Sequence, residues 1–313
     1  MPHSPPSSFT SLRVGSFNVR YDGRASEPIP LPPTRPPRSD NKRFGEKPWA
    51  ERRWLVADSI LWSELDVVGL QEVLHNQMED LQQLLGEKWG WVGVGRDDGR
   101  QAGEYAPIFY RKDRFKINWV DYFWLSTTPS VPGSKDWDAG QTRIVTVAHF
   151  SPLASESEGF YTLCTHWDDR GLLSRTKAAE IILDYVSKLG AEGKLVVLLG
   201  DLNSPAEEDG YRTLTQWKYT GGKEQSGATS IADPPSSLNR PFGDLNTFTG
   251  FDERQSDAKI IDFVLFLNNG AVSEGLSGGK PWTVSRYGVV PNLFDEGGLA
   301  SDHRLVVAEF GRA

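Results

Sequence analysis

Cysteine is nearly missing from this chain: Cys164 is the only one among 313 residues, so there is no internal disulfide framework. It lies in the apolar run Phe160, Tyr161, Leu163, away from any metal-ligand spacing, and reads as a small buried hydrophobe. Long apolar runs are missing too: none reaches the roughly 18 residues that span a bilayer. The opening Met1 to Thr10, rich in Pro and Ser, has no apolar core of the secretory kind. The expectation is an intracellular, soluble protein, cytoplasmic or nuclear. Zinc-type Cys/His spacings, a Gly-x-Ser-x-Gly elbow, a Walker loop and a Gly-x-Gly-x-x-Gly fingerprint are also absent. Positive charge is short, 34 Lys and Arg against 42 Asp and Glu, and the net charge of −8 repels a polyanion. That favours a small or locally held substrate over long nucleic acid, although divalent cations bound among carboxylates reverse the local sign.

What is present supports a substantial core. The chain is 38% hydrophobic, with 11 Trp and 15 Phe. Short apolar runs rich in β-branched or aromatic residues predict strands at Leu12 to Arg20, Asp66 to Gln71, Ile108 to Tyr110, Ile144 to Phe150, Phe160 to Thr165, Leu195 to Leu199, Ile260 to Phe266 and Arg304 to Phe310. Helical periodicity covers Ala50 to Glu64, Asn76 to Leu85 and Ser174 to Leu189, with Ser174 as N-cap and Gly190 as the stop. Strands interspersed with helices suggest a two-sheet α/β sandwich with outer helices. No internal repeat and no domain boundary is evident. The expected organisation is a disordered tail over residues 1–11 and one domain over 12–313, with loop insertions at about 22–48, slightly basic, and 207–257.

Polar residues interrupt the apolar runs at or near their ends. Gly200-Asp201-Leu202-Asn203 follows the strand from Leu195, and on an extended backbone Asp201 and Asn203 face the same side. Gln71-Glu72 ends another strand, where an ionised carboxylate is costly unless paired or metal-bound. Asn18 sits inside an apolar strand, His166 and Asp168 end the run from Phe160, and Asp262 lies amid Ile, Phe and Val. Asp302-His303 borders the last strand, a carboxylate beside an imidazole suited to acid–base work. Taken singly, each has an ordinary explanation as a turn residue, a helix start or a satisfied core histidine. Their coincidence at strand ends is the argument for one active site. The available ligands are oxygens, amides and histidines, which suit Mg2+ or Mn2+ better than zinc.

These pieces in this order, from Asn18 to His303, resemble the endonuclease/exonuclease/phosphatase superfamily. Gly103-Glu104-Tyr105-Ala106-Pro107 and Trp124-Leu125-Ser126 look like a less characterised microbial branch of it. The resemblance implies a DNase I-like, four-layered α/β/β/α sandwich and hydrolysis of a phosphoester by in-line attack of water. It implies metal ligation by Glu72, Asn18 and Asp302, with Asp201 and Asn203 at a second metal or at the attacking water. His303 would be general base or its electrostatic equivalent, oriented by Asp262, and His166 would contact the scissile phosphate with Glu104 as its carboxylate partner. Arg143 is a candidate phosphate contact because a guanidinium matches phosphate bidentately, and Tyr105 and Asp168 are candidates to line the cleft. Other readings stay open. One is a nuclease or deadenylase-like RNA 3′ exonuclease, which needs a basic track with stacking aromatics. Others are a noncatalytic binding protein on the same fold, or an unusual metal-dependent reaction.

Overall fold

The computed structural model describes residues 9–23, 30–37, 42–155, 158–190, 192–215, 231–234, 241–252, 254–267, 282–295 and 298–312. The first sheet is built from β1 (Ser11–Asn18), β2 (Val67–Gln71), β3 (Trp89–Val92), β4 (Ile108–Arg111), β10 (Phe242–Gly243), β12 (Trp282–Val289) and β15 (Val306–Arg312). Their order is β10-β12-β15-β1-β2-β4-β3. The second contains β5 (Phe115–Trp124), β6 (Ile144–Pro152), β7 (Phe160–His166), β8 (Leu195–Asp201), β9 (Ile231–Ala232) and β11 (Asp262–Leu267), ordered β5-β6-β7-β8-β11-β9. A small pair, β13 (Leu293–Phe294) and β14 (Gly298–Leu299), stands apart.

The central strands read as unbroken apolar runs because both of their faces are covered. In β2, Val67 joins the core between the sheets, while Val68 and Leu70 face the helices α1 (Trp49–Trp62) and α2 (His75–Leu85). Gly69 lets the two sheets approach: a Cβ there would lie 2.7 Å from Cys164 Sγ and 2.9 Å from Leu199 Cβ. On the far side, α3 (Leu172–Gly190) and α4 (Asp209–Thr215) pack Ala178, Ile182, Val186, Tyr211 and Leu214 against Val145, Leu163, Leu198 and Leu265. The four layers are therefore helix, sheet, sheet, helix, the expected α/β/β/α sandwich of the DNase I-like fold. Cys164 is fully buried between the sheets. Among the described residues, no helix is long and apolar enough to cross a membrane.

Several boundaries differ from those expected. The third helix starts at Leu172 rather than after Ser174, and continues through Gly190. Its first N–H groups are capped from a distance, by Asp138 accepting from Leu173 N at 3.1 Å and Ser174 N at 2.7 Å, which a local capping rule does not find. Phe9, expected within the tail, is instead packed, its ring lying on Phe115, Phe160 and Trp282, and β1 begins at Ser11. Residues 1–8 lie outside the described residues. The 207–257 region is not all loop: it holds α4, and its Thr247 and Thr249 are buried beside the site. Residues 216–230, 235–240 and 253 of that region, and 24–29 and 38–41 of the basic loop, lie outside the description.

Candidate active site

Strand ends from both sheets meet at one rim. Asn18 closes β1 opposite Gln71 of its parallel neighbour β2. Across the sandwich His166 closes β7 opposite Asp201, the last residue of the parallel β8, and Asp262 opens β11 opposite the same Asp201. His303 joins through an isolated bridge to Phe248, whose ring meets the imidazole edge-on.

Three of the chain's left-handed residues cluster at this rim: Arg20 (φ 60°), Glu72 (φ 62°) and Asn203 (φ 47°). Such conformations cost free energy in residues with a side chain, so the surrounding bonds must enforce them. Asn18 Nδ2 donates to Glu72 Oε1 at 3.0 Å and to Asp201 Oδ2 at 2.9 Å, bridging two carboxylates. Its Oδ1 accepts from Arg20 N at 3.0 Å, and Tyr21 N donates to Glu72 Oε2 at 3.2 Å. Beneath them the buried guanidinium of Arg52 donates to four carbonyls, those of Lys47, Val19, Ala300 and Arg20, at 2.7 to 3.2 Å. It thus ties the chain after Asn18 to the chain before Asp302. Burial pushes the Asp302 carboxyl above its ordinary range, with nearby Glu72 adding to the shift.

A hydrogen-bonded dyad borders this carboxylate group. His303 Nδ1 lies 2.8 and 3.0 Å from the two oxygens of Asp262, and Thr247 Oγ1 accepts from Asp262 N at 3.0 Å. Asn292 Nδ2 holds the carbonyls of Ser301 and His303 at 2.7 and 2.6 Å. Burial alone would lower the His303 pKa, but Asp262 and Asp201 outweigh it and raise it to about 10. Asp201, whose Oδ2 is 3.7 Å from His303 Nε2, is pushed up to about 7 by burial and by Asp262. Asp201, Asp262 and His303 offer ligand atoms within 4.8 Å of one another. One imidazole N–H serves both Asp262 oxygens, so these three can share protons, while Glu72 Oε1 and Oε2 each accept a single hydrogen bond, from Asn18 and Tyr21, and keep lone pairs for a cation.

The opposite wall carries two buried arginines, each paired with carboxylates. Arg143 is buried, with Nη2 donating to Asp169 at 3.0 Å and Nε 3.6 Å from Asp168, yet Nε and Nη1 make no hydrogen bond among the described residues. Arg96, also buried, gives Nη1 to Glu104 at 2.8 Å and Nη2 to Gln141, and its Nε has no hydrogen bond. His166 Nδ1 is 3.9 Å from Glu104 and likewise unbonded. Burial, then Arg143 and Arg96, hold the His166 imidazole well below its ordinary pKa.

The sequence profile described as the Endonuclease/Exonuclease/phosphatase family matches residues 15–303, a span that contains all of these groups. The chain belongs to that family. An endonuclease/exonuclease/phosphatase of known structure from Bacteroides vulgatus is 30% identical over 97% of this chain and 100% of that one, with a TM-score of 0.79. A family protein from Bacteroides thetaiotaomicron is 27% identical, covering 97% and 98%, TM-score 0.75. A mannosyl-6-phosphatase of the same organism is 25% identical, covering 96% and 99%, TM-score 0.70. A curated relative, uncharacterized protein R895 of Acanthamoeba polyphaga mimivirus, is 27% identical over 114 residues, 33% of this chain and only 16% of that protein.

Of the residues expected at the site, Asn18, Glu72, Asp201, Asn203, Asp262, Asp302, His166 and His303 converge. Arg143 and Glu104 stand beside them on the opposite wall. Glu104 hydrogen-bonds Arg96 at 2.8 Å and lies 3.9 Å from His166 Nδ1, its expected partner. Asn203 does not reach the site by strand alternation: β8 ends at Asp201, and Asn203 turns back in the left-handed region. The Tyr105 hydroxyl is engaged away from the cluster, donating to Arg100 O at 3.0 Å and 3.0 Å from His75 Nδ1. Asp168 organises the loop, accepting from the N–H groups of Gln141, Arg170 and Gly171 at 2.8 to 3.0 Å. Burial alone would raise its pKa; these bonds lower it to about 2. Sequence reading missed Arg96, Arg52, Thr247 and Asn292. For Arg52 a signal existed: it shares the face of α1 that buries Leu55, Val56 and Ile60.

Proposed function

We propose that this chain is a divalent-metal-dependent hydrolase of a small phosphoester, with a phosphomonoester such as a sugar phosphate the favoured class. The observation that carries the reading is the pairing of a buried carboxylate group with a facing wall of buried N–H donors that lack acceptors. A cation would answer the first and a phosphoryl group the second. The 25% identity to a mannosyl-6-phosphatase over nearly the whole chain supports the monoester.

The donor set fits a hard cation: Glu72 and Asp302, with Asn18 able to offer its amide oxygen if the side chain turns. Bound there, Mg2+ or Mn2+ would supply Lewis-acid stabilisation of charge at the phosphoryl oxygens. The chain's own groups do the rest. Arg143 and the N–H of His166 orient the phosphoryl group and neutralise charge developing on its equatorial oxygens. Asp201, whose carboxyl is raised above its ordinary range by burial and by Asp262, is the carboxylate suited to take the proton of the attacking water. The proton on His303, held by Asp262, keeps the neighbouring buried charge balanced. The basic loop offers little support for a nucleic-acid track: its Arg35 and Arg43 are paired with Asp58 and Asp295.

The test is a hydrolysis panel in Mg2+, Mn2+ and EDTA, with sugar phosphates, a generic phosphodiester, plasmid DNA and oligo(A). Cation-dependent turnover of a phosphomonoester, absent in Glu72→Gln, is the expected result. Silence on every phosphoester would overturn the proposal, and turnover of the nucleic acids alone would replace it with the nuclease reading.

A further inference from the structure

The buried imidazole of His166 has one ring nitrogen engaged and one free. Nε2 is 3.0 Å from Asn203 Nδ2, whereas Nδ1 has no hydrogen bond. A third group decides which nitrogen carries the proton. Asn203 Nδ2 is also 3.0 Å from the carbonyl oxygen of Trp167. A backbone carbonyl only accepts, so the amide must turn its NH2 toward it; the reverse orientation would set two oxygens against each other. The Trp167 backbone is itself fixed, since its N–H donates to Asp201 O at 2.9 Å. With one N–H of Asn203 spent on Trp167, the other falls to His166 Nε2, and a ring nitrogen that receives an N–H must be bare.

We infer that Asn203 is a positioning residue that holds His166 in the neutral tautomer with its proton on Nδ1, which faces Glu104 at 3.9 Å and has no hydrogen bond among the described residues. An Nε2–H ring would gain Asp201 Oδ2 at 3.5 Å, beyond good hydrogen-bond range, at the cost of two donors opposed at 3.0 Å. An imidazolium would suffer the same opposition, and the burial and nearby arginines that hold the ring below its ordinary pKa agree with the neutral form. The left-handed turn at Asn203 is what brings its amide back over the end of β7, and Asn is among the residues that tolerate that conformation. The outcome is a neutral N–H donor beside Arg143, fixed before a ligand arrives. The tautomer follows from the hydrogen bonds alone; its value for turnover rests on the phosphoester reading above.

The experiment is NMR of the full chain carrying ring-15N histidine, with and without saturating MgCl2, where long-range 15N–1H couplings distinguish the tautomers. The chain has only 5 His, and the His166 signals are those lost in His166→Gln. The expected wild-type result is a bare Nε2 and a protonated Nδ1. In Asn203→Asp, a carboxylate in the same place can only accept, so the proton moves to Nε2 and kcat/KM on a phosphomonoester falls about 10²-fold. A protonated Nε2 in the wild type, both nitrogens protonated, or an unchanged tautomer in Asn203→Asp would overturn the inference. Failure to hydrolyse any phosphoester would count against the functional reading instead, leaving the tautomer to the spectra.

Discussion

The two walls of the crevice are opposites. One gathers Glu72, Asp201, Asp262 and Asp302, where burial raises the pKa of Asp201 to about 7 and that of Asp302 above its ordinary range. The other gathers Arg96, Arg143 and His166, all buried and each with at least one N–H or ring nitrogen unbonded. Charges are paired within each wall, Glu104 and Asp169 holding the arginines and His303 holding Asp262, yet Arg96, Arg143 and His166 keep nitrogens without a hydrogen bond among the described residues. Buried donors without acceptors are costly, and set against a cluster of carboxylates they fit two ligands of opposite sign.

Breaking the acidic wall should have the largest effect. Glu72→Gln and His303→Ala should each lower turnover by on the order of 10²-fold or more without unfolding the chain. In Glu72→Gln the rise in melting temperature caused by Mg2+ should also shrink, since a ligand stabilises only the state that binds it. Next comes Arg52→Met, which leaves four carbonyls without their donor and should cost about 2–3 kcal/mol in denaturant unfolding. An unchanged midpoint would mean that the clamp between the Asn18 and Asp302 segments is ornamental. Breaking the basic wall by Arg143→Met should raise KM for a phosphomonoester, and the inhibition constant of inorganic phosphate, by about 10-fold or more.

The smallest effect concerns the support of the basic wall. Asp168 has a folded pKa of about 2, below its ordinary 3.8. Its contribution to stability is therefore fully present above about pH 3.8 and lost as pH falls through about 2. Asp168→Asn should cost about 1 kcal/mol at neutral pH, after allowance for solvent screening, and flatten the acid limb of the stability curve between those values. An acid limb identical to the wild type would remove Asp168 from the account.

The walls also differ in how far the sequence revealed them. The acidic wall was legible, because a carboxylate or amide in an apolar strand is conspicuous: Asn18, Asp201 and Asp262 each interrupt such a run. The layering was legible for the same reason, since continuous apolar strands imply cover on both faces. Most of the basic wall was not. Arg96 lies in a glycine-rich loop where an arginine ordinarily faces water, and only tertiary packing buries it. Tyr105 and Asp168 lie close in sequence to Glu104 and His166, yet their hydrogen bonds go to structural partners. The left-handed turn at Glu72 left no local mark, being held by bonds to Asn18 and Tyr21.

The most direct test of the two-walled crevice is calorimetric titration of inorganic phosphate into the chain with and without saturating Mg2+. Coupling between opposite charges in one site predicts that Mg2+ tightens phosphate binding by at least about 5-fold, and that Arg143→Met weakens it in both conditions. Phosphate affinity unaffected by Mg2+, or unchanged in Arg143→Met, would contradict the account.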